Sequence, residues 1–218
     1  DLSFNTGPIV NDGLILLDGI NSTTALDLDE DLTITGSGEL NLANGVNVIL
    51  GTADRRLTHE AGHIITGGGG IGSNLIYLDN AGFIRADAAT PMIVNLRAET
   101  VDETNSNSGV MEAVDAGTLR ISATGLDNTG GIIRAGAGSV VELTNAVIRF
   151  GSLDSIDAPG PGVDGEIQQI GAVTLEDVWN TSNYRALNSH DPVIVGTLTN
   201  HGNVHLDALN STTALFMG

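Results

Sequence analysis

The chain has 218 residues, and its 27 acidic residues against 8 basic ones give a net charge of −19 at pH 7. Such a surface repels nucleic-acid phosphates and anionic lipid headgroups, so the composition excludes nucleic-acid binding and membrane insertion as expected functions. The chain contains no cysteine, which excludes disulfides, thiolate metal sites and a cysteine nucleophile. No apolar run approaches the roughly 20 residues of a membrane-spanning helix.

Apolar residues make up 41% of the chain but aromatic residues only 3%, so isoleucine, valine, leucine and alanine must form the core. They occur in bursts of three to six residues rather than at helical spacing, for example 14–17, 46–50, 92–96, 140–143 and 193–195. Short β-branched bursts closed by glycine, asparagine or aspartate are typical of strands joined by tight turns. The sequence therefore predicts an all-β fold.

Many of the bursts follow an Asn-x-Gly triplet, which begins at Asn5, Asn11, Asn80, Asn107, Asn128 and Asn200. Turn glycines at positions 13, 38, 62, 82, 109 and 130 follow one another at steps of 20 to 27 residues. A bounded but irregular step of this size is typical of coils that stack about 4.8 Å apart. We therefore predict a right-handed parallel β-helix (β-solenoid) with about 20–27 residues per coil.

Three segments share a leucine two residues before the Asn-x-Gly turn, followed by an isoleucine or valine strand: 78–86, 126–132 and 198–204. In this pattern the chain resembles the degenerate repeats of bacterial surface adhesins, including filamentous-haemagglutinin-like proteins and autotransporter passenger domains. The resemblance covers most of residues 7–150 and 193–215. It implies an elongated extracellular solenoid, and it supplies no catalytic residues.

The segment 200–215 matches the segment 11–26 at ten of sixteen positions without a gap, an offset of 189 residues. A match of this quality indicates an internal repeat. We therefore expect residues 1–218 to form a single β-solenoid segment, with a possible 189-residue repeat unit that restarts near 196–200.

Two stretches depart from the coil pattern. Residues 152–165 are rich in proline, glycine and aspartate, and residues 176–190 hold the only tryptophan and one of the two tyrosines. The composition predicts loop excursions at both places, although the second could also be an irregular coil.

The second stretch contains a candidate ligand site. Exposed aromatic rings beside polar groups suit carbohydrate, so Trp179, Tyr184, Arg185 and His190 form a candidate glycan-binding platform. The alternative is that Trp179 and Tyr184 hold the loop against the solenoid.

The densest acidic cluster contains Asp27, Asp29 and Asp31, and it is a candidate calcium site because calcium prefers carboxylate oxygens. The alternative is a solvated turn, since the segment lacks the spacing of known calcium loops. No other cofactor is expected.

His59 and His63 fit the H-E-x-x-H pattern of zinc metalloproteases, which requires both histidines on one helical face. The glycine-rich and β-branched flanks are incompatible with a helix. In a strand the two residues would lie about 13 Å apart, so the sequence indicates that the match is coincidental.

Taken together, these features predict an extracellular or cell-surface structural protein, a shaft or fibre segment with adhesive loops. Its expected partners are neighbouring repeats of the same chain, an end-to-end homopolymer and surface glycans. We expect it not to be an enzyme. The alternative is a carbohydrate-active β-helix, either a polysaccharide lyase or a tailspike-like depolymerase, or else a glycan-binding module.

Overall fold

A computed structural model describes residues 2–3, 7–123, 125–160, 162–209 and 211–218, with the backbone alone for 2–3. All regular structure within these ranges is β-strand, as predicted. The described part of the chain therefore contains no helix that could cross a membrane.

The first coils contain the strands β1 (Leu2–Ser3), β2 (Ile9–Val10), β3 (Leu14–Leu17), β4 (Thr24–Leu28), β5 (Leu32–Thr35), β6 (Glu39–Leu42), β7 (Asn47–Gly51), β8 (Arg55–His59) and β9 (Ile64–Gly67). The middle coils contain β10 (Gly69–Ile71), β11 (Ile76–Asn80), β12 (Phe83–Ala86), β13 (Met92–Asn95), β14 (Ser106–Asn107), β15 (Val110–Ala113), β16 (Thr118–Ser122), β17 (Leu126–Asp127) and β18 (Ile132–Ala135). The last coils contain β19 (Val140–Leu143), β20 (Ala146–Arg149), β21 (Ser152–Ser155), β22 (Glu166–Gln169), β23 (Val173–Asn180), β24 (Asn183–Ala186), β25 (Pro192–Asn200), β26 (Asn203–Leu206) and β27 (Phe216–Met217).

These strands form a parallel β-solenoid of about 9 turns with about 23 residues per turn, which confirms the predicted fold class. The handedness of the coil stays a prediction. The solenoid has three faces, each a ladder of parallel strands. Face 1 holds β1, β4, β7, β10, β13, β16, β19, β22, β24 and β26. Face 2 runs from β2 through β5, β8, β11, β14, β17 and β20, and face 3 from β3 through β6, β9, β12, β15, β18 and β21.

The long strands β23 and β25 each continue from face 2 into face 3, and β27 ends face 2. We number the coils from the face 2 strand that opens each one, so β2, β3 and β4 form coil 1 and β25 and β26 form coil 9.

The core is a stack of aliphatic rows, one residue per coil. On face 1 the row Leu26, Ile49, Ile71, Val94, Ile121 and Leu143 is in register and almost entirely buried. In a strand, alternate residues point to opposite faces of the sheet, so the residues between them face outward. Because the inward rows supply the hydrophobic stabilisation, the outward rows are free to differ from coil to coil.

The Asn-x-Gly triplets form corners of the solenoid. The Asn80 side-chain amide donates to the Gly82 carbonyl at 3.3 Å, which closes the turn. The coils approach closely here, since a Cβ at Gly109 would lie 2.2 Å from the Gly82 carbonyl oxygen. The triplet thus combines a side chain that caps the turn with a residue that has no side chain to clash. Asn5, which begins another triplet, lies outside the described residues.

The predicted loop boundaries need correction. Within 152–165, residues 152–155 form β21, and the described residues 156–160 and 162–165 belong to a loop. Residues 176–190 do not form a loop excursion, because most of them belong to β23 and β24 and pair with neighbouring coils. The pairing of β23 with β25 shifts register between Glu176 and Val178, so this part is an irregular coil. Asp177 and Trp179, which interrupt the sequence pattern there, point outward, whereas Tyr184 is buried in the core.

The two segments of the 189-residue match follow corners of different kinds. The corner at Asn11 leads into β3 on face 3, whereas the corner at Asn200 leads into β26 on face 1. The offset of 189 residues therefore corresponds to eight complete coils plus one face, so the two matching segments lie at different positions around the solenoid. The repeat itself stays a prediction.

Candidate functional site

One outward row of face 1 runs in register along most of the solenoid. From coil 2 to coil 9 it contains Val48, Gly70, Ile93, Arg120, Glu142, Gln168, Arg185 and His205. The row is apolar as far as Ile93 and polar from Arg120 onward. Two hollows of similar size but different chemistry lie on it.

The polar hollow lies across coils 6 to 9, and we call it the face 1 groove. Its volume is about 460 Å³, within the size range of ligand pockets. The loop 156–165 forms one wall. That loop is closed by a hydrogen bond from the Gly165 amide to the Ile156 carbonyl, and Asp164 accepts a hydrogen bond from the Ala158 amide. The floor is made by outward residues of β22, β24 and β26.

Arg185 is the central cation of the face 1 groove. Its Nε lies 3.1 Å from Glu166 Oε1 and 3.2 Å from Asp207 Oδ2. Gln168 donates from Nε2 to the second oxygen of Glu166 at 2.5 Å. Glu166 is therefore held between an amide and a guanidinium. Asp164 also lines the groove, and Asp207 lies beside Arg185.

A buried hydroxyl also lines the face 1 groove. Ser139 is 1% exposed, and its Oγ has no hydrogen-bond partner within the described residues. A buried polar group without a partner costs free energy, and Ser139 lies in the turn that faces the wall of the groove.

The apolar hollow lies over coils 2 to 4 and has a volume of about 400 Å³. Its floor is at Gly69 and Gly70, between Val48 and Ile93. It exists because β10 has no side chain at these positions, and the residues that line it are uncharged.

Inside the solenoid, one corner between faces 2 and 3 contains a continuous line of buried polar side chains, which we call the polar line. It consists of Asn11, His63, His59, Asn80, Asn107 and Asn128. The distances between successive hydrogen-bonding atoms are 2.6–3.0 Å. The two histidines, predicted to lie far apart, are joined from His59 Nε2 to His63 Nδ1 at 3.0 Å. That prediction is wrong because residues 60–62 form a turn, with φ of +92° at Gly62.

The hydrogen bonds of the polar line all run in one direction. Asn80 Oδ1 can only accept, so His59 donates from Nδ1 and must accept at Nε2. His63 then donates from Nδ1 and accepts at Nε2 from Asn11. Both imidazoles are neutral in this arrangement, and a further proton on His59 would face the N–H of His63.

Burial lowers the pKa of His59 from 6.5 to about 4, and the hydrogen bond to Asn80 only partly opposes that shift. Burial also lowers the pKa of His63, and the negative charge of Glu39 only partly opposes that shift. The polar line is therefore built for neutral histidines. The ring nitrogens of both histidines are already hydrogen-bonded within the polar line, so neither has a free position for a ligand.

On the outer surface of coils 4 to 6, face 3 contains a charged row of Arg85, Glu112 and Arg134. Glu112 is 2% exposed and lies 2.6 Å from Arg85 Nε and 2.5 Å from Arg134 Nη2. Burial alone would raise the pKa of Glu112, but the hydrogen bonds and charges of Arg134 and Arg85 outweigh burial and hold it below the ordinary value. This row is a satisfied ion-pair ladder.

Residues 97–105 cross face 2 between β13 and β14, and we call them the strap. Glu103 in the strap pairs with Arg56 of coil 3, and Glu99 pairs with Arg149 of coil 7, both at 2.5 Å. The guanidinium of Arg56 also lies 5.4 Å from the ring centroid of Tyr77, which is buried.

The four residues predicted as a glycan platform do not lie together. Trp179 points outward from face 3, half-exposed and stacked on His201 with ring centroids 4.9 Å apart. Tyr184 points into the core and donates to Gln169 Oε1 at 2.7 Å, and burial raises its pKa. Arg185 lies in the face 1 groove, and His190 lies in the turn after β24. Ligand binding by Trp179 or Arg185 stays a prediction for each separately.

Asp27 lies in β4, while Asp29 and Asp31 are exposed in the turn that follows. Asp31 accepts a hydrogen bond from the Arg56 amide at 3.0 Å. Among the described residues no group of three or more histidine, aspartate or glutamate side chains is arranged to hold a metal ion. Calcium binding at this turn stays a prediction.

Sequence reasoning missed Glu166, Gln168 and His205 as members of one site. The signal that could have found them is the coil register, which aligns Gln168, Arg185 and His205 on adjacent strands. Comparison of the chain with protein-family models, with curated proteins and with solved structures gives no match.

Proposed function

We propose that the chain is a segment of an extracellular structural or adhesive shaft displayed at a cell surface. The observation that supports this proposal is the continuous stacking of parallel strands along three faces over about nine turns. Each coil passes its backbone hydrogen bonds to the next, so the fold is quasi-one-dimensional and extends by adding coils. The resemblance to adhesin repeats points in the same direction.

The partner that we propose for the shaft is another solenoid, either a neighbouring repeat or a second copy. Among the described strands, those at the two ends of the stack have a pairing partner on one side only: β1, β2 and β3 at one end, and β26 and β27 at the other. Large exposed apolar side chains are frequent at both ends, including Leu14 and Ile20 in coil 1 and Phe216 and Met217 beyond coil 9. Open strand edges with exposed apolar residues promote edge-to-edge pairing.

Electron microscopy and analytical ultracentrifugation over a range of concentrations test this proposal. We expect rods that lengthen with concentration by multiples of the single particle. Met217→Lys, which places a charge at the open end of the core, should stop lengthening. Val101→Lys, at the fully exposed tip of the strap, is the matched control and should lengthen as the wild type does. A particle that stays monomeric at every concentration contradicts end-to-end association.

The rival function is cleavage of a polysaccharide, for which the face 1 groove with Glu166 is the place to look. Incubation with a panel of acidic and neutral polysaccharides, read by the release of new reducing ends, separates the two functions. We expect no cleavage. Reproducible cleavage that Glu166→Gln abolishes would overturn the shaft as the primary function.

A further inference from the structure

We propose that the face 1 groove binds a neutral saccharide chain that lies along the solenoid axis. The inference goes beyond the shaft function, and neither proposal depends on the other. It rests on three observations: the charge of the groove, the register of its floor and the unpartnered polar atoms within it.

The charge of the groove selects against acidic ligands. Glu166 and the neighbouring Asp207 flank Arg185, Asp164 lines the same groove, and the whole chain has a net charge of −19. Phosphorylated, sulfated or uronate ligands would meet three carboxylates and only one cation that is already paired. A neutral ligand avoids this repulsion and can use the same groups as hydrogen-bond partners.

The floor of the groove repeats at the strand spacing. Gln168, Arg185 and His205 lie in register on β22, β24 and β26, so neighbouring side chains are about 4.8 Å apart along the axis. One ring of an extended glycan spans about the same length. The groove therefore presents one planar polar side chain to each successive ring.

The polar groups provide both the donors and the acceptors that vicinal hydroxyls need. The guanidinium of Arg185 and the amide of Gln168 donate, while the carboxylates of Glu166 and Asp164 accept. Val140 and Val163 add apolar surface for the C–H side of a sugar ring. A mixture of a few placed polar groups with apolar walls is typical of small-molecule sites.

Two buried polar atoms in the groove lack a hydrogen bond. Ser139 Oγ has no partner, and the buried Nε of Arg185 lies near Glu166 and Asp207 without hydrogen-bond geometry. Because such groups are usually satisfied in folded proteins, they indicate that the groove is built for a polar occupant. The apolar hollow of the same face lacks such groups.

Isothermal titration calorimetry tests the inference on the whole chain, after an array of neutral, acidic and amino-sugar oligosaccharides has identified the tightest binder. We expect a neutral oligosaccharide of four to six rings to bind and its uronate or sulfated counterpart to bind at least about tenfold more weakly. Arg185→Gln and His205→Ala should each weaken binding by about tenfold or more, the effect of losing one hydrogen bond to a charged or polar group.

Arg120→Gln is the matched control, because Arg120 lies in the same outward row but outside the groove and pairs with Glu142. Its binding should equal that of the wild type. Should Arg185→Gln fail to fold by circular dichroism, Gln168→Ala and His205→Ala carry the test, since neither residue forms an ion pair.

The inference is overturned if no neutral oligosaccharide binds, if acidic oligosaccharides bind more tightly, or if Arg120→Gln weakens binding as much as the groove variants. None of these results touches end-to-end association, which Met217→Lys tests independently.

Discussion

The charged row of face 3 occupies coils 4 to 6, through which the polar line also runs, but the two follow opposite rules. Asn80, Asn107 and the neighbouring histidines lie inside the corner, where each polar atom must be satisfied by the next coil. Arg85, Glu112 and Arg134 lie outside, where water can still reach the arginines. The comparison shows that in this solenoid an inward polar residue needs the correct register of the next coil to satisfy its hydrogen bonds. An outward polar residue needs only an adjacent partner, because water can satisfy the rest.

Breaking the polar line at its centre should have the largest effect. Asn107→Ala leaves one N–H of the Asn80 amide and the side-chain carbonyl oxygen of Asn128 buried without their partners, while the Asn80 amide keeps its bond to Gly82. We expect the free energy of unfolding to fall by about 3 kcal/mol, since each buried unsatisfied group costs about 1–3 kcal/mol. Urea unfolding measures the loss.

Asn203→Ala is the matched control, because Asn203 also bonds to an asparagine of the neighbouring coil but lies at the surface. Its loss should stay below about 1 kcal/mol. Equal losses in the two variants would contradict the distinction between inward and outward polar residues.

The next effect is a loss of stability in mild acid. His59 has an ordinary pKa of 6.5 and a pKa of about 4 in the folded chain, so the folded state favours the neutral imidazole. The contribution of neutral His59 to the free energy of unfolding is complete above pH 6.5 and is lost as the pH falls toward 4. Between pH 7.5 and pH 5 we expect a loss of about 2 kcal/mol, measured by urea unfolding at both values.

His59→Asn should flatten this pH dependence, because asparagine continues the row of Asn80 and Asn107 and does not titrate. A variant that keeps the full acid dependence would show that the loss arises elsewhere, for example at carboxylates of the surface.

The smallest effect belongs to the charged row. Glu112→Gln leaves two arginines facing each other across a neutral amide, and we expect a loss of about 1–2 kcal/mol at pH 7, measured by thermal and urea unfolding. Glu142→Gln removes a carboxylate that pairs with Arg120 alone at a more exposed position. Its loss should be below about 1 kcal/mol, and a larger loss than that of Glu112→Gln would reverse the ranking.

Local chemistry made the coil predictable from sequence. The Asn-x-Gly corner needs only residues that are adjacent in the chain, so the triplets at Asn80 and Asn107 identify corners directly. The loop at 156–165 is likewise visible from its proline and glycine content. The strands within residues 176–190 are not visible from sequence, because the outward face of β23 is acidic and aromatic. Outward residues of this solenoid follow no fixed pattern of hydrophobicity from coil to coil.

The sites could not be predicted because they depend on register. Gln168 and His205 are 37 residues apart in sequence and become neighbours of Arg185 only after the length of each coil is fixed. The contact between His59 and His63 depends on a turn of three residues that the spacing alone cannot distinguish from a straight strand.

The strap changes how the stack of coils can come apart. In an ideal solenoid each coil is coupled only to its immediate neighbours, so unfolding spreads from the ends one coil at a time. Glu103 and Glu99 join coil 3 to coil 7 through a single segment, and this tie couples coils that do not touch. We therefore expect coils 3 to 7 to unfold as one unit, and fraying from either end to slow at the coils that the strap joins.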